Sequence, residues 1–410
     1  MIRYGIIGIG GYARQLVQAI EDVSASAGCE LSAAAVRNPA KYAEQVERLE
    51  KAGVEIFTSS EEMLEKCRDR CDGIFIPTGI NTHMPLTLAT AEKGYHIHLE
   101  KPAAGTVQEV DAMIEAVRAA GVHCLVGFQA QHGDDVRFVK DRIVSGRLGK
   151  VRTMCCEAGW PRPASYYSRN SWAGKLRIGD TWVLDGPAMN AMAHQINNML
   201  YFASPEAGGY AVPAAVRAEL YAVDGLESHD TAAIEIKTHE GPTLYFLGSH
   251  RTEESFDPAI TIHAEKGTVR WKIHAGLTIT YSDGSEETHP GRRDQVRKMV
   301  SNFTAAIRGN DPSKLGCGLV DSRKMVLSLN GAHESSERIH AIAAEHTRSK
   351  PAEKEGDHFT VVENLDEYIH RAAELPGLFS DLADAPAWAR ATEQFDLDGY
   401  EGFPMRFGRT

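Results

Sequence analysis

At 410 residues the chain is too long for one compact core and fits two or three domains. Its 44 Lys and Arg against 56 Asp and Glu leave a formal net charge of −12, which repels nucleic acid, and no Lys/Arg-rich block reverses that sign locally. No run of about 18 apolar residues offers a membrane span, the N-terminus lacks the pattern of a signal peptide, and seven scattered cysteines read as reduced thiols, so the expected setting is the cytoplasm.

The first part of the chain alternates strand and helix patterns. Apolar runs at 2–7, 31–36, 73–76, 96–99 and 122–127 read as buried strands, and helical spacing falls at 12–20, 39–52, 85–93 and 107–120. Ser59-Ser60-Glu61-Glu62 looks like a capping box before a helix carrying Met63 and Leu64, and Gly94 stops the helix before it. Repeated βαβ units with short loops predict a parallel sheet covered on both faces. Cys67 and Cys71 are four apart with no second pair to complete a zinc site, and read as structural thiols.

Beyond residue 126 the texture changes. A helix fits 134–145, and alternating stretches at 151–154, 232–237, 243–247, 259–263 and 268–271 are separated by turn signals such as Glu240-Gly241-Pro242 and Asp283-Gly284. Helical segments are expected at 189–202, 295–308 and 320–342. The predicted fold is an α/β Rossmann domain (1–126) followed by an α+β domain on a large, mainly antiparallel open sheet (127–345). The polar stretch 346–357 reads as a linker to a C-terminal extension (346–410). Trp388, Phe395, Tyr400, Phe403 and Phe407 make that extension too apolar for a disordered end, so it is expected to pack on the body or on a neighbouring subunit.

Gly8-Ile9-Gly10-Gly11-Tyr12-Ala13 matches G-x-G-x-x-A directly after the first strand and opens the first helix. Gly8 permits the tight turn, Gly10 lets backbone approach a pyrophosphate, and Ala13 lets helix pack on strand. The helix N-terminus then offers N–H groups to an anion. The alternative is a tight βα turn in another doubly wound fold. The second strand ends Val36-Arg37-Asn38, without the carboxylate that binds a ribose 2′-hydroxyl. Arg37 would instead meet a 2′-phosphate, which favours NADP over NAD.

Glu100-Lys101-Pro102 follows the strand at 96–99, at the sheet edge where ligands of such folds bind. Here the chain resembles the glucose–fructose oxidoreductase / inositol dehydrogenase / MocA (Gfo/Idh/MocA) family. The resemblance rests on the glycine turn, on Ile76-Pro77-Thr78-Gly79 with His83 following, and on 94–102, which matches G-x-H-x-x-x-E-K-P. It continues through Val126-Gly127-Phe128-Gln129 and Gly146-Arg147-Leu148-Gly149-Lys150-Val151, and runs from Ile2 to about Ile342. It implies that Lys101 is the catalytic-site lysine, with a cis bond before Pro102. It also implies that Thr78, Asn81 and Gln129 line a nicotinamide. The resulting cofactor set is Gly8, Gly10, Gly11, Tyr12, Ala13, Arg37, Asn38, Pro77, Thr78, Asn81, His83, Glu100, Lys101 and Gln129.

In the second domain, family members commonly show Asp-x-x-x-His with the histidine as acid–base. This sequence keeps His194 but has Asn190 in place of the aspartate, and Asn197 where an aspartate often follows. On a helix, Asn190 and His194 share a face. An amide raises an imidazole's pKa far less than a carboxylate does. Either His194 is a weaker base than in relatives, or Asp185 reaches in.

Trp160, Tyr166, Tyr167 and Trp172 cluster upstream, with Arg162, Arg169 and Lys175 among them. Such rings suit the C–H faces of sugars, and the cations suit hydroxyls or a carboxylate. Trp160, Tyr166, Trp172, Asp185, Asn190 and His194 form the expected substrate set, with Lys101, His194 and Asn190 catalytic. His96 and His98 lie on one strand face without a third ligand, so no metal is expected.

The resemblance implies hydride transfer between NAD or NADP and a hydroxyl-bearing carbon of a sugar, cyclic polyol or glycoside, in a homodimer or homotetramer. Three rivals stand beside it. One is cleavage of a glycosidic bond with a tightly held, recycled NAD(H). Another is a non-catalytic sugar or dinucleotide sensor. The last is a reductase of a non-sugar imine or ketone.

Overall fold

The computed structural model describes residues 1–291 and 293–409. They separate into two units, the first from residues 1–104, 108–133 and 293–323, the second from the remainder.

In the first unit, apolar runs punctuated by glycine and short turns form β1 (Ile2–Ile7), α1 (Ala13–Val23), β2 (Cys29–Ala35), α2 (Ala43–Lys51), β3 (Glu55–Phe57) and α3 (Ser60–Lys66). They continue as β4 (Gly73–Ile76), α4 (His83–Glu92), β5 (His96–Leu99), α5 (Val107–Ala120) and β6 (Cys124–Val126). The six strands pair in parallel in the order β3-β2-β1-β4-β5-β6. This is the doubly wound order, and chain direction across the sheet reverses between β1 and β4, the crevice where such sheets take ligands. The strands are mainly apolar because both faces are covered, with Arg3, Glu30 and Glu55 toward their N-terminal ends. Helix Gln295–Gly309 supplies part of that cover. Phe303 stacks on Tyr4 with ring centroids 5.8 Å apart, and the Tyr4 hydroxyl hydrogen-bonds Thr304 Oγ1 at 2.8 Å. Residues 293–323 therefore belong to the first unit, not to the span 127–345 drawn from the sequence, because burying this helix's apolar face decided its place.

The second unit holds α6 (Asp134–Val144), β7 (Val151–Gly159), α7 (Ala164–Tyr167), a two-stranded turn of β8 (Arg177–Ile178) and β9 (Thr181–Trp182), and α8 (Ala193–Ala203). After these come β10 (Pro213–Ala222), β11 (Thr231–Thr238), β12 (Thr243–Ser249), β13 (Phe256–Ala264), β14 (Gly267–Lys272), β15 (Gly276–Tyr281), β16 (Glu286–Pro290) and β17 (His340–Ala341). The last strands are β18 (Thr347–Pro351), β19 (His358–Val362) and β20 (Phe395–Asp396). A ten-stranded sheet runs β16-β15-β14-β13-β7-β12-β11-β10-β17, with β20 paired to β10. It is mainly antiparallel, but β7 pairs with β12, and β10 with β17, in parallel.

The alternating strands predict one wet face, yet both are covered where β7, β12, β11 and β10 meet. Met154, Cys155 and Cys156 are consecutive and all buried. Helix α8 packs on one face. On the other, Leu365, Ile369 and Ala372 of helix Leu365–Glu374, with Phe379 and Trp388, join Cys155, Ala233, Tyr221 and Leu247 in one cluster. Burying a ring such as Phe379 contributes on the order of 2 kcal/mol.

Two expectations fail at this end of the chain. The helix expected over 320–342 stops at Ser336, where Ser335 and Ser336 hydroxyls accept from Ala218 N and Leu220 N, and Glu337 turns the chain at φ 59° into β17. The expected linker 346–357 instead forms strand β18 (Thr347–Pro351) and the turn that leads into its antiparallel partner β19. The extension is anchored by Glu334, fully buried, whose carboxylate accepts from Tyr400 Oη (2.6 Å), Met405 N (2.5 Å), Arg406 N (2.5 Å) and Phe407 N (2.8 Å). No helix among the described residues is long and apolar enough to cross a membrane.

Candidate active site

Within the first unit, β1 ends at Ile7 and the chain turns through Gly8 (φ 90°) and Gly11 (φ 57°) before α1 begins at Ala13. Both glycines sit in the left-handed region that side chains avoid. A Cβ on Gly10 would stand 2.5 Å from the Tyr42 hydroxyl, so this glycine is required by the protein's own side chain as well as by any ligand. Gln45 Nε2 donates to Ile9 O at 2.9 Å and fixes the turn from below. The turn opens on a cleft of about 1060 Å³ lined by Gly8, Gly10, Arg37, Asn38 and Thr78 among the expected cofactor residues. Tyr12, half-buried, and Ala13, buried, lie beyond its lining.

Lys41, Tyr42 and Ser59 line the same cleft and were not foreseen. The signal for Lys41 was present in Asn38-Pro39. The predicted helix 39–52 begins as a 3-10 turn, Pro39–Tyr42, in which Asn38 Oδ1 accepts from Lys41 N at 3.3 Å and brings that residue beside Arg37.

At the end of β5, the Lys101–Pro102 bond is cis and Lys101 is half-buried. Glu100 beneath it is 8% exposed; burial pushes its carboxyl up to about 7, against the pull of the Lys101 ammonium. A Cβ on Gly127 would lie 2.7 Å from Glu100 Oε1, so a glycine there lets the end of β6 close over this carboxyl. His83, expected among the cofactor residues, has both ring nitrogens against main-chain carbonyls. Its Nδ1 lies 2.9 Å from Pro102 O and its Nε2 3.1 Å from Thr78 O, so the imidazole braces the Thr78 turn against the Lys101 turn. Pro77, Asn81 and Gln129 are half-buried at neighbouring strand ends, outside the cleft lining.

In the second unit, Asn190 and His194 do not share a helix face. Asn190 lies in a five-residue π turn, Pro187–Ala191, and His194 in α8, with Met192 at φ −113°, ψ 12° breaking the helix between them. The π turn opens at Pro187 directly after Gly186, which is tightly seated: a Cβ there would meet the His229 ring at 2.5 Å. Asp185 is 3% exposed. Its Oδ1 accepts from Asn190 Nδ2 and its Oδ2 from Gly174 N, both at 2.8 Å. The Asp185 carboxylate thus clamps the amide that stands where family members commonly carry an aspartate.

The aromatic cluster stands on α7 and its flanks. Tyr166 packs edge-on to Tyr167 with centroids 5.2 Å apart, and Tyr167 lies beneath the buried Arg251, which pairs with Asp230 at 2.8 Å. Burial pushes the Tyr166 phenol up, Arg169 pulls it down, and the Asp185 charge pushes it up again, which places Tyr166 in the electrostatic neighbourhood of the Asp185–Asn190 clamp. Trp160 Nε1 donates to Asp257 Oδ1 at 3.1 Å, so its polar edge is spent within the sheet. Among the described residues no group of three His, Cys, Asp or Glu side chains is placed to hold a metal.

Two family models match the chain: the oxidoreductase family with an NAD-binding Rossmann fold over residues 2–128, and the GFO/IDH/MocA C-terminal domain over 136–270. Myo-inositol 2-dehydrogenase of Thermotoga maritima is 22% identical, over 71% of this chain and 84% of the relative. Scyllo-inositol 2-dehydrogenase (NAD+) of Bacillus subtilis is 34% identical, over 36% of this chain and 42% of the relative. The crystal structure of the WlbA dehydrogenase of Bordetella pertussis superposes with a TM-score of 0.66 at 23% identity, covering 82% of this chain and 96% of that one.

Proposed function

This chain belongs to the Gfo/Idh/MocA oxidoreductase family, and we propose that it transfers hydride between a nicotinamide dinucleotide and the hydroxyl-bearing carbon of a sugar, cyclic polyol or glycoside. The observation that carries this reading is the cleft of about 1060 Å³ at the glycine turn, with Gly8, Gly10, Arg37, Asn38 and Thr78 in its wall. Its positive-φ glycines and helix N-terminus fit a pyrophosphate. The names of the two inositol dehydrogenase relatives support a polyhydroxylated substrate.

The bound cofactor supplies the hydride acceptor. Lys101 holds the oxygen of the reacting hydroxyl through its ammonium and favours loss of the proton. His194 takes that proton, a task suited to an imidazole near neutral pH. Asn190, clamped by Asp185, orients the hydroxyl or the imidazole without adding a charge of its own. Tyr166, Trp160 and Trp172 pack against the ring of the substrate. Arg37, joined by Lys41 in the cleft wall, favours NADP, since two cations there suit a 2′-phosphate. A cytoplasmic homodimer or homotetramer completes the reading; a monomer by light scattering would remove that part.

The test is a screen of sugars, inositols and glycosides with NAD+ and NADP+, following nicotinamide absorbance and released aglycone together. Lys101→Met and His194→Asn are each expected to lower kcat by roughly 10²-fold to 10⁴-fold while cofactor binding, read by fluorescence quenching, persists. Full activity in Lys101→Met, or aglycone release without net cofactor reduction, would overturn the reading. Arg37→Ala should weaken NADPH more than NADH; the reverse would favour NAD.

A further inference from the structure

Between Trp160 and Trp172, aromatic rings and guanidinium groups alternate. The Arg162 guanidinium carbon lies 5.8 Å from the Trp160 ring centroid and 4.9 Å from that of Tyr166. The Arg169 guanidinium carbon lies 3.4 Å from Tyr166 and 5.1 Å from Trp172. Each guanidinium thus lies over two aromatic rings, a cation–π contact that orders the side chain. Arg169 Nη1 donates to Tyr166 O at 2.6 Å, and Arg169 also hydrogen-bonds the Tyr166 side chain.

Neither arginine forms an ion pair among the described residues, in a chain whose acidic side chains outnumber its basic ones by 56 to 44. Nearby cations are answered: Lys175 by Glu227 at 2.6 Å, and Arg251 by Asp230 at 2.8 Å. Arg162 Nε is buried without a hydrogen-bond partner among the described residues. His250, 2% exposed, lies edge-on to Tyr166 at 5.6 Å, and its Nε2 also lacks a partner among them. Burial holds His250 neutral, helped by Arg162, Arg251 and Arg169 around it, so it adds no charge of its own. Tyr166, against which both guanidiniums lie, also feels the charge of Asp185, which fixes Asn190.

We propose that Arg162 and Arg169 form an anion-recognition subsite, so that the substrate carries a carboxylate or phosphate in addition to its reacting hydroxyl. The proposal rests on the hydride-transfer reading above and narrows it to anionic sugars. A guanidinium already ordered by stacking binds an oxyanion through parallel N–H···O bonds without first losing side-chain freedom.

Matched substrates test it on the full-length protein with either nicotinamide cofactor: D-glucose against D-glucuronate, and D-glucose against D-glucose 6-phosphate. One anionic member should exceed glucose in kcat/KM by roughly 10-fold to 100-fold, and which one does separates carboxylate from phosphate as the source. Arg162→Gln and Arg169→Gln should bring that ratio toward one through KM, and added salt should do the same to the wild type. Arg169→Lys, which keeps the charge but loses the paired donors, should fall between. Preference for glucose over both anions, or equal losses on neutral and anionic sugars in every variant, would overturn the subsite and leave hydride transfer standing. If no sugar is oxidised, calorimetry of glucuronate and glucose 6-phosphate on the NADH-saturated protein decides. Binding lost in Arg169→Gln keeps the subsite and removes the redox reading; no binding removes the subsite.

Discussion

The two units solve the problem of presenting polar groups by opposite means. In the first, the cleft is made by main chain: Gly8 and Gly11 hold positive φ, and the wall that follows is a turn stapled by Gln45 and Asn38. In the second, the expected substrate loop is held by side chains that are themselves held by side chains. Asp185 clamps Asn190, Asp230 answers Arg251, and Glu334 ties down the chain end. The first arrangement is local in sequence and tolerates its neighbours. The second concentrates the cost of buried charge at a few carboxylates, so single substitutions there should be felt most.

The largest effect should come from Glu334→Ala. It leaves three main-chain N–H groups and a phenol without their acceptor in a fully buried site, and should cost about 3–5 kcal/mol in urea unfolding. Protease should then cut after about residue 395 in the folded protein, and Glu334→Gln should lose less. Resistance of the Ala variant to both would mean that the aromatic contacts of Phe403 and Phe407 with Trp182 suffice, and the contrast between the units would weaken.

Asn190→Asp restores the residue common in the family, yet here it would set a second carboxylate 2.8 Å from Asp185. Two carboxylates sharing a buried site cannot both ionise cheaply, so one pKa is raised in the folded state. The unfolded chain loses that proton first. The variant should therefore be least destabilised at acid pH, and lose about 1–3 kcal/mol as pH rises through and above the ordinary carboxylate range. The exchange Asp185→Asn with Asn190→Asp should recover most of it. A single variant as stable as wild type at neutral pH would break the clamp.

The smallest stability effect should be Gly8→Ala. Its added Cβ meets nothing within 4 Å, so the cost is confined to φ 90°, about 1–2 kcal/mol in thermal unfolding. Its dinucleotide affinity should nevertheless drop by a larger factor than its stability implies, which titration calorimetry with NADH and NADPH checks. A loss of fold as large as that in Glu334→Ala would erase the distinction between the units.

Much of the first unit was legible because its signals are short-range. A glycine pattern after an apolar run, a capping box, and Glu100-Lys101-Pro102 at a strand end need only neighbouring residues to be interpreted. Lys41 and Tyr42 escaped because a turn, not a motif, brings them to the cleft. In the second unit, spacing misread Asn190 and His194 as one helix face, since the π turn 187–191 and the break at Met192 leave no mark in the i, i+4 spacing. Asp185 was visible at this site only as an option; in the structure its carboxylate holds the Asn190 amide.

Sequence alone determined the βαβ alternation, the phosphate-type turn and the residues at the strand ends, because period and backbone freedom are properties of local chain. It also marked the extension as too apolar to stay free. Only tertiary structure decided that helix Gln295–Gly309 returns to the first sheet, that the extension covers a second sheet face, and which carboxylate answers which cation. Those outcomes depend on where buried area and charge are best satisfied in three dimensions, and no window of sequence contains that comparison.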